Sequence, residues 1–554
     1  MKTNNLMKLI EAVGIQARSC KQLGNSIWCS VDKNSLPVYI LRLQESKVCR
    51  LTTCLAYDNR PFDSLFHVVY VIDCPKYHAY ICLDTGISSA TLELDSVGVL
   101  LDSPPCIWCE WEIKDLYGVR FANHPGKGHL VLPDNWPPNH YPLRKDAPPV
   151  DINPEQFTRL EPRRGPVLPL GPFHPALHEP ELFELIVDGE RIVDVRYRGF
   201  FVYRGIEKLA EERFTYNQVP FLAERICGIC GFVHSITYCR AVENALGVDV
   251  PEEAKLVRTL LLELERIHSH ILWVAVVLHT VGFDTGFMLS WKTREHIMHL
   301  AEILTGNRKT YGMDIVGGVR RDVLGDRINK AIDTVKKIRA EYKELYNMLI
   351  NNTILVKRTR GVGVLPREKA ISYGVVGPVA RGAGLDIDVR KDHPYAAYKE
   401  LSFNVPVYSE GDVLAITLVR LDEVFESLDL IEQILDKLPR GPIMTEVKEI
   451  PANKEAVGVV EAPRGEDIHY VRSGEYNKIQ RWRVRAPSYA NIPPVREMLI
   501  GYRLADAPII YASVDPCLAC TERYLVIDIE TGKKTIISDE ELKAKSRKLS
   551  RTMG

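Results

Sequence analysis

Charge of one sign is missing from this chain of 554 residues: 72 acidic side chains face 71 basic ones, for a formal net charge of −1. A nucleic-acid partner would call for a basic surplus, so none is assigned. Long apolar runs are missing too. The most apolar stretch, Ile271 to Leu278, gives way to His279 and Asp284, far short of the roughly 20 residues that span a bilayer. Membrane attachment is therefore expected only through partners. Internal repeats and low-complexity tracts are absent, apart from a basic end running from Lys543 to Arg551. The N-terminal residues form no hydrophobic leader, so the 13 cysteines are expected as reduced thiols inside the cell, with no disulfide framework. The length exceeds a single core, and two or more domains are expected.

Two Cys-x-x-Cys pairs stand out, Cys227-Gly228-Ile229-Cys230 and, far downstream, Cys517-Leu518-Ala519-Cys520. Each pair can bite one ion with two sulfurs, and together they supply four thiolates. Structural zinc modules usually place their second pair roughly 15 to 20 residues after the first, so this gap favours a buried catalytic metal over an autonomous zinc ribbon. Soft thiolates suit a soft, redox-active metal, and a metal-bound sulfur can serve as a base. A third pair, Cys106 and Cys109, stands alone and reads as two ordinary buried thiols. His234, His268 and His270 lie on largely apolar helices and read as hydrogen-bonded core residues.

Residues 1–147 read as an α+β domain. Leu36 to Leu43 and Phe66 to Asp73 are short, β-branched and aromatic, hence strands. A proline-rich connector, 148–170, follows: Pro148, Pro149, Pro154, Pro162, Pro166 and Pro169 bias the backbone away from helix. Beyond it the chain turns mainly helical. Ile328, Ile332, Val335, Ile338, Tyr342, Leu345 and Leu349 share one helical face, and Leu414, Leu418, Leu421, Val424, Leu428, Ile431 and Leu435 repeat the pattern up to Pro439. The run from Ile271 to Leu278 is apolar all round, as in a helix buried in a bundle.

The wording around the cysteines, Glu224-Arg225-Ile226-Cys227-Gly228-Ile229-Cys230 and Asp515-Pro516-Cys517-Leu518-Ala519-Cys520, resembles the two signatures of nickel-iron hydrogenase large subunits. Trp111 to Phe121, with Asn123-His124-Pro125 and Pro142-Leu143-Arg144-Lys145-Asp146, resembles the 30-kilodalton subunit of respiratory complex I. Gly171-Pro172-Phe173-His174-Pro175, Tyr203-Arg204-Gly205-Ile206-Glu207-Lys208 and Glu265-Arg266-Ile267-His268-Ser269-His270 resemble strings of the energy-converting hydrogenases, several of which also occur in complex I's 49-kilodalton subunit, which binds quinone and lacks the four cysteines. Both halves in one chain resemble the energy-converting, membrane-bound hydrogenases, nearest the formate hydrogenlyase type.

The resemblance implies a catalytic domain over 171–523 that performs 2H⁺ + 2e⁻ ⇌ H₂. Cys227, Cys230, Cys517 and Cys520 would hold nickel, with Cys230 and Cys520 bridging to an iron that carries cyanide and carbon monoxide. Arg464 would hang over the open metal position, held by Asp515, and Glu179 would take the proton from a cysteine sulfur. Glu207 would bind a second, hard cation such as magnesium. Arg523 stands where the family commonly has histidine, and the extension 524–554 would be removed by a maturation protease. Iron-sulfur clusters would sit on a small subunit resembling one of complex I, with a ferredoxin-like subunit and antiporter-like membrane subunits beyond. Formate dehydrogenase, carbon monoxide dehydrogenase or ferredoxin would donate electrons. The chain would lie on the cytoplasmic face of the membrane. The alternatives are a complex I-type quinone-binding subunit and a zinc-stabilised, non-catalytic scaffold.

Overall fold

The computed structural model describes residues 2–134, 136–150, 166–172, 179–201, 203–323, 326–438 and 441–517, and two short strands, Val526–Ile527 and Lys534–Thr535. Cys520, Arg523 and Pro439 lie outside the described residues, as do most of the connector and most of the C-terminal extension.

The N-terminal domain is built on a five-stranded sheet in the order Ser19–Leu23, Ser26–Ser30, Ala79–Ser88, Leu65–Cys74, Arg50–Asp58. All pairs are antiparallel except Ser26–Ser30 with Ala79–Ser88. Side chains alternate between two destinations. Val68, Tyr70 and Ile72 enter the domain's own core, while Val69 and Val71 enter the core of the second half of the chain. A strand buried on both faces loses the polar alternation of a half-exposed one, which is why Phe66 to Asp73 reads as a nearly continuous apolar run. The sheet is thus a shared wall, and helix Pro104–Tyr117 packs on its strand Arg50–Asp58.

Two expectations about this domain are corrected. Leu36 to Leu43 is helical: Leu36–Glu45 carries Pro37 in its first turn and buries Leu36, Tyr39, Ile40 and Leu43. That spacing is three, four and seven, a helical face that outweighs the β-branched content. The cysteines are also not all free. Cys20–Cys29 and Cys49–Cys74 are disulfides, the first across a ladder in which the two residues are direct partners. The pairing follows from strand register, which a cysteine count does not reveal.

Among the described residues, the second half of the chain holds the long helices Glu252–Thr280, Asp284–Thr305, Asp326–Ile350 and Val413–Lys437. Asp326–Ile350 buries the expected stripe of Val335, Ile338, Tyr342, Leu345 and Leu349. The half is mixed α/β, however: two three-stranded sheets join it, one of Val167–Leu170, Leu182–Asp188 and Arg191–Arg198, the other of Glu455–Ala462, Gly465–Ser473 and Ile479–Arg485. Val167–Leu170, at the end of the expected connector, already pairs with Leu182–Asp188.

Helix Glu252–Thr280 runs through the middle and buries Arg258, Glu263, Glu265, Arg266, His268, Ser269 and His270 beside its leucines. Such groups are tolerated only when paired. Glu263 meets Arg266, Arg390, Ser427 and Tyr398, and His270 bonds Glu423 at 2.7 Å. Among the described residues no helix is long and apolar enough to cross a membrane.

Candidate metal centre

The first cysteine pair lies in the bend that ends at helix Gly231–Leu246, with Cys230 as the residue capping its start. Two amides of the first turn, Phe232 and Val233, donate to the Glu265 carboxylate at 3.0 and 2.9 Å. A carboxylate satisfies these otherwise orphaned donors and fixes the helix start, and so fixes Cys230. Within the bend the amides of Ile229 and Cys230 point at the Cys227 sulfur, at 3.3 and 3.2 Å. Cys517 arrives from helix Ala507–Ser513 through Asp515, whose φ of 51° lies in the left-handed region. That turn precedes Pro516, and the Cys517 amide is then pinned to Ser488 Oγ at 2.9 Å.

The sequence therefore brings 227 and 517 together. Their sulfurs are 3.1 Å apart, and the sulfurs of Cys227, Cys230 and Cys517 all lie within 4.8 Å of one another, buried. Two sulfurs held about 2.3 Å from one ion at a right angle stand about 3.2 Å apart, so the spacing fits a shared soft metal. As thiols they crowd one another. Hydrogen bonding to Cys227 and Cys517, then burial, push the Cys230 thiol far above its ordinary value. A metal ion would relieve this by taking the place of the protons.

Arg464 sits at the bend between strands Glu455–Ala462 and Gly465–Ser473. Its Nε donates to the Asp515 carbonyl at 2.8 Å, Nη2 to Asp515 Oδ1 at 2.8 Å and Nη1 to Ser269 Oγ at 3.3 Å. Burial disfavours the cation, but Asp515 and the sulfurs of Cys517, Cys230 and Cys227 reverse this and raise its pKa. Gly465 makes the bend possible: its φ is 125°, and an added Cβ would meet the Gly377 amide at 2.7 Å. The expected pairing of Arg464 with Asp515 is present, and Arg420 lies 3.5 Å from the other Asp515 oxygen.

Glu179 is partly buried and does not join the grouped sulfurs. It stands near Glu181, a fully buried carboxyl pushed up to about 9 by burial, against Tyr197's hydrogen bond, with Glu179's charge adding to the rise. Sequence reading passes over Glu181, although its place one residue beyond Pro180 is an available signal.

Glu207 departs from its expected role. Arg481 takes one of its oxygens at 2.7 Å, and Arg483 and the Val484 amide take the other at 3.3 and 3.0 Å. Burial raises its pKa, and Arg481 and Arg483 more than offset that to lower it. A hard cation needs free oxygen donors, and these are spoken for by guanidinium groups. The described residues at this corner do not fit magnesium. A fixed positive charge stands there already.

The histidines occupy three settings. His270 meets Glu423, and His268 faces Lys309 and Arg294 at 3.1 and 2.5 Å. His234 lies 3.2 Å from His469 and 3.3 Å from Asp467. Trp482 donates to the far nitrogen of His469, so the nitrogen facing Asp467 keeps its proton and is not a metal ligand. Cys106 and Cys109 are buried and outside any disulfide on helix Pro104–Tyr117, but Cys109 is not the ordinary thiol expected: Cys54's hydrogen bond, against burial and aided by Arg483's charge, lowers it to about 5.

The family described as respiratory-chain NADH dehydrogenase, 30 Kd subunit, matches residues 29–152, the nickel-dependent hydrogenase family 204–283, and the 49 Kd subunit family 280–456 and 448–523. Formate hydrogenlyase subunit 5 of Escherichia coli (strain K12) is 40% identical over 94% of this chain and 93% of its own length. An NADH-quinone oxidoreductase subunit of Phocaeicola vulgatus is 33% identical over 76% of this chain and 84% of its own. Among solved structures, a chain of the membrane-bound sulfane sulfur reductase, an archaeal respiratory membrane complex, is 37% identical with a TM-score of 0.62, over 65% of this chain and 98% of that one. The chain belongs to the nickel-iron hydrogenase large subunits of the energy-converting, membrane-bound group, with a complex I 30-kilodalton-like domain fused to a 49-kilodalton-like one.

Proposed function

We propose that this chain is the catalytic large subunit of a membrane-associated nickel-iron hydrogenase, interconverting protons, electrons and hydrogen within a formate hydrogenlyase-like or related energy-converting complex. One observation carries the reading: the buried meeting of Cys227, Cys230 and Cys517 beneath the Arg464–Asp515 pair. Overall likeness does not decide it, because relatives named as quinone oxidoreductases and a sulfane sulfur reductase share the fold.

When bound, a nickel-iron group with cyanide and carbon monoxide on the iron would supply the redox chemistry. Cys227, Cys230, Cys517 and Cys520 would hold it. The chain's own residues do the rest. Arg464 presents a planar cation at the sulfurs, oriented by Asp515 and Ser269, and stabilises charge that shifts as hydrogen is cleaved. A cysteine sulfur accepts the proton and Glu179 carries it on. The electrons leave through clusters on a small subunit, since the described cysteines form no second soft-metal group. A ferredoxin-like subunit, antiporter-like membrane subunits and a formate, carbon monoxide or ferredoxin donor complete the assembly on the cytoplasmic face of the membrane. A maturation protease removes the extension after Arg523.

Metal analysis of the purified complex, read beside hydrogen/deuterium exchange, tests this. Nickel and iron together with exchange are expected. Zinc alone would leave the scaffold reading, and no metal with quinone reduction would leave the complex I reading. In the same assay Glu179→Gln should keep nickel while exchange with solvent protons falls by about tenfold or more. Unchanged exchange would remove Glu179 from the relay.

A further inference from the structure

A cavity of ≈ 50 Å³ lies between the N-terminal domain and the catalytic half. One water needs about 10–15 Å³ of such space, so it holds a short file of them. Two of its walls are the back of the thiol group. Ile226 immediately precedes Cys227, and Ser488 holds the Cys517 amide at 2.9 Å. Arg204, at the half-buried rim, clamps the Arg225 and Ile226 carbonyls at 2.7 Å each. The opposite wall comes from the N-terminal domain: Trp108, stacked on Tyr197, and Glu112.

Glu112 belongs to helix Pro104–Tyr117 yet makes its contacts in the other half. Arg483 grips it through both oxygens at 2.7 and 2.8 Å, and the Tyr489 hydroxyl donates to it at 2.5 Å. Tyr489 is the neighbour of Ser488, so the carboxyl is one residue removed from the group that pins Cys517. The same Arg483 also reaches Glu207. Two acids thus share one guanidinium across the domain seam, and Arg481 serves Glu207 alone of the two.

We propose that the fused N-terminal domain takes part in the hydrogen reaction, with Glu112 as a proton-carrying residue in the cavity behind the thiol group. This rests on the hydrogenase reading above. Water in the cavity passes a proton to a Glu112 oxygen, making one O–H bond as another breaks, and the carboxyl returns it to water at the rim beside Arg204. Nothing is oxidised or reduced in the transfer. Glu112 touches no reacting atom; it stocks and releases protons for the groups that do.

The electrostatics suit that task. Burial pushes Glu112 up to about 7, Arg483 and the Tyr489 hydrogen bond oppose this, and the charges of Glu207 and Cys109 add to it. A carrier works best when its pKa is near the working pH. Among the described residues, the groups acting on it or lining its cavities with it are Arg483 and Arg481 from strand Ile479–Arg485, Glu207 from helix Ile206–Arg213, Tyr489 from helix Ser488–Asn491, Arg204, Tyr197 and Tyr203 along the cavity, and Cys109 and Tyr117 from its own helix.

The test compares the assembled wild-type enzyme with Glu112→Gln and Glu112→Asp. Nickel and iron content, hydrogen turnover against pH, exchange of deuterium gas with solvent protons and the solvent isotope effect are measured on each. Glu112→Gln should keep its metals, lose about tenfold or more in turnover and exchange, and lose the limb of the pH profile near neutrality. Glu112→Asp should restore part of both. Wild-type rates and pH profile in Glu112→Gln would overturn the proposal. So would loss of activity in step with loss of nickel that Glu112→Asp does not rescue, because that marks a joint between domains and not a proton carrier. An inactive, nickel-free wild type would instead fail the hydrogenase reading itself.

Discussion

Two buried corners on either side of the cavity, one inside the second half of the chain and one at its seam with the N-terminal domain, handle polar groups in opposite ways. At the sulfur corner like meets like: Cys227, Cys230 and Cys517 crowd within 4.8 Å, and the nearby cation, Arg464, is already engaged by Asp515. At the ionic corner opposites alternate: Glu112, Glu207 and Glu211 interleave with Arg481 and Arg483. Family resemblance assigns a metal to each corner. The contrast shows that residue type at a matching position is not enough, because the geometry around it decides what it can hold. The three sulfurs converge on one another, whereas each Glu207 oxygen is taken by a guanidinium.

The largest break in this contrast is Cys517→Ala. It removes a sulfur from the crowded corner, so the remaining thiols no longer have the spacing that demands an ion, and nickel loading and exchange should both be abolished. Wild-type exchange in that variant would end the metal assignment. Arg464→Lys comes next. It keeps the charge but loses the planar fork that holds the Asp515 carbonyl and carboxylate together, so metal should load while turnover falls by roughly tenfold. Parallel loss of nickel would make Arg464 a structural residue.

How much of this contrast is legible in the sequence differs between the corners. The thiol group is read from two Cys-x-x-Cys spacings, and the Arg464–Asp515 pair from family resemblance. Ser488 and Glu265 are not, because they act on backbone amides, Cys517 in one case and Phe232 and Val233 in the other, and no residue pattern marks that. The guanidiniums on Glu207 come from a strand more than 270 positions away, Arg481 and Arg483, a contact that only the folding of strand Ile479–Arg485 against helix Ile206–Arg213 creates. Helix periodicity identifies Asp326–Ile350 correctly because one face meets the core. The same periodicity runs through Leu36–Glu45, and the strand reading fails there because β-branched content is given more weight than the spacing of the buried positions.

Glu207→Gln probes the ionic corner. Removing its charge leaves Arg481 with Glu211 and Arg483 with Glu112, so the pairs are thinned, not orphaned. A loss of roughly 1–3 kcal/mol in unfolding free energy is expected, below the 3–5 kcal/mol for a fully uncompensated buried charge. Nickel content should be unchanged, and added magnesium should shift the melting temperature of neither protein. A magnesium-dependent rise confined to the wild type would restore Glu207 as a cation ligand.

The smallest effect belongs to Cys106→Ala, which carries the contrast into the N-terminal domain. Cys106 resembles the cysteines of the sulfur corner in spacing, Cys-x-x-Cys with Cys109, but not in surroundings. Its sulfur lies 3.8 Å from a Glu110 oxygen, and burial pushes its thiol up to about 12, with Cys54's hydrogen bond opposing and Glu110's charge adding. Glu110 in turn is satisfied by Ser96, Tyr70 and the amides of Val97 and Gly98, so this corner is balanced like the ionic one. Truncation removes a single buried sulfur at a cost of about 1 kcal/mol, with nickel content and exchange at wild-type level. Lost exchange at full nickel loading in Cys106→Ala would show that balance alone does not mark a structural thiol, and would extend the working site into the N-terminal domain beyond Glu112.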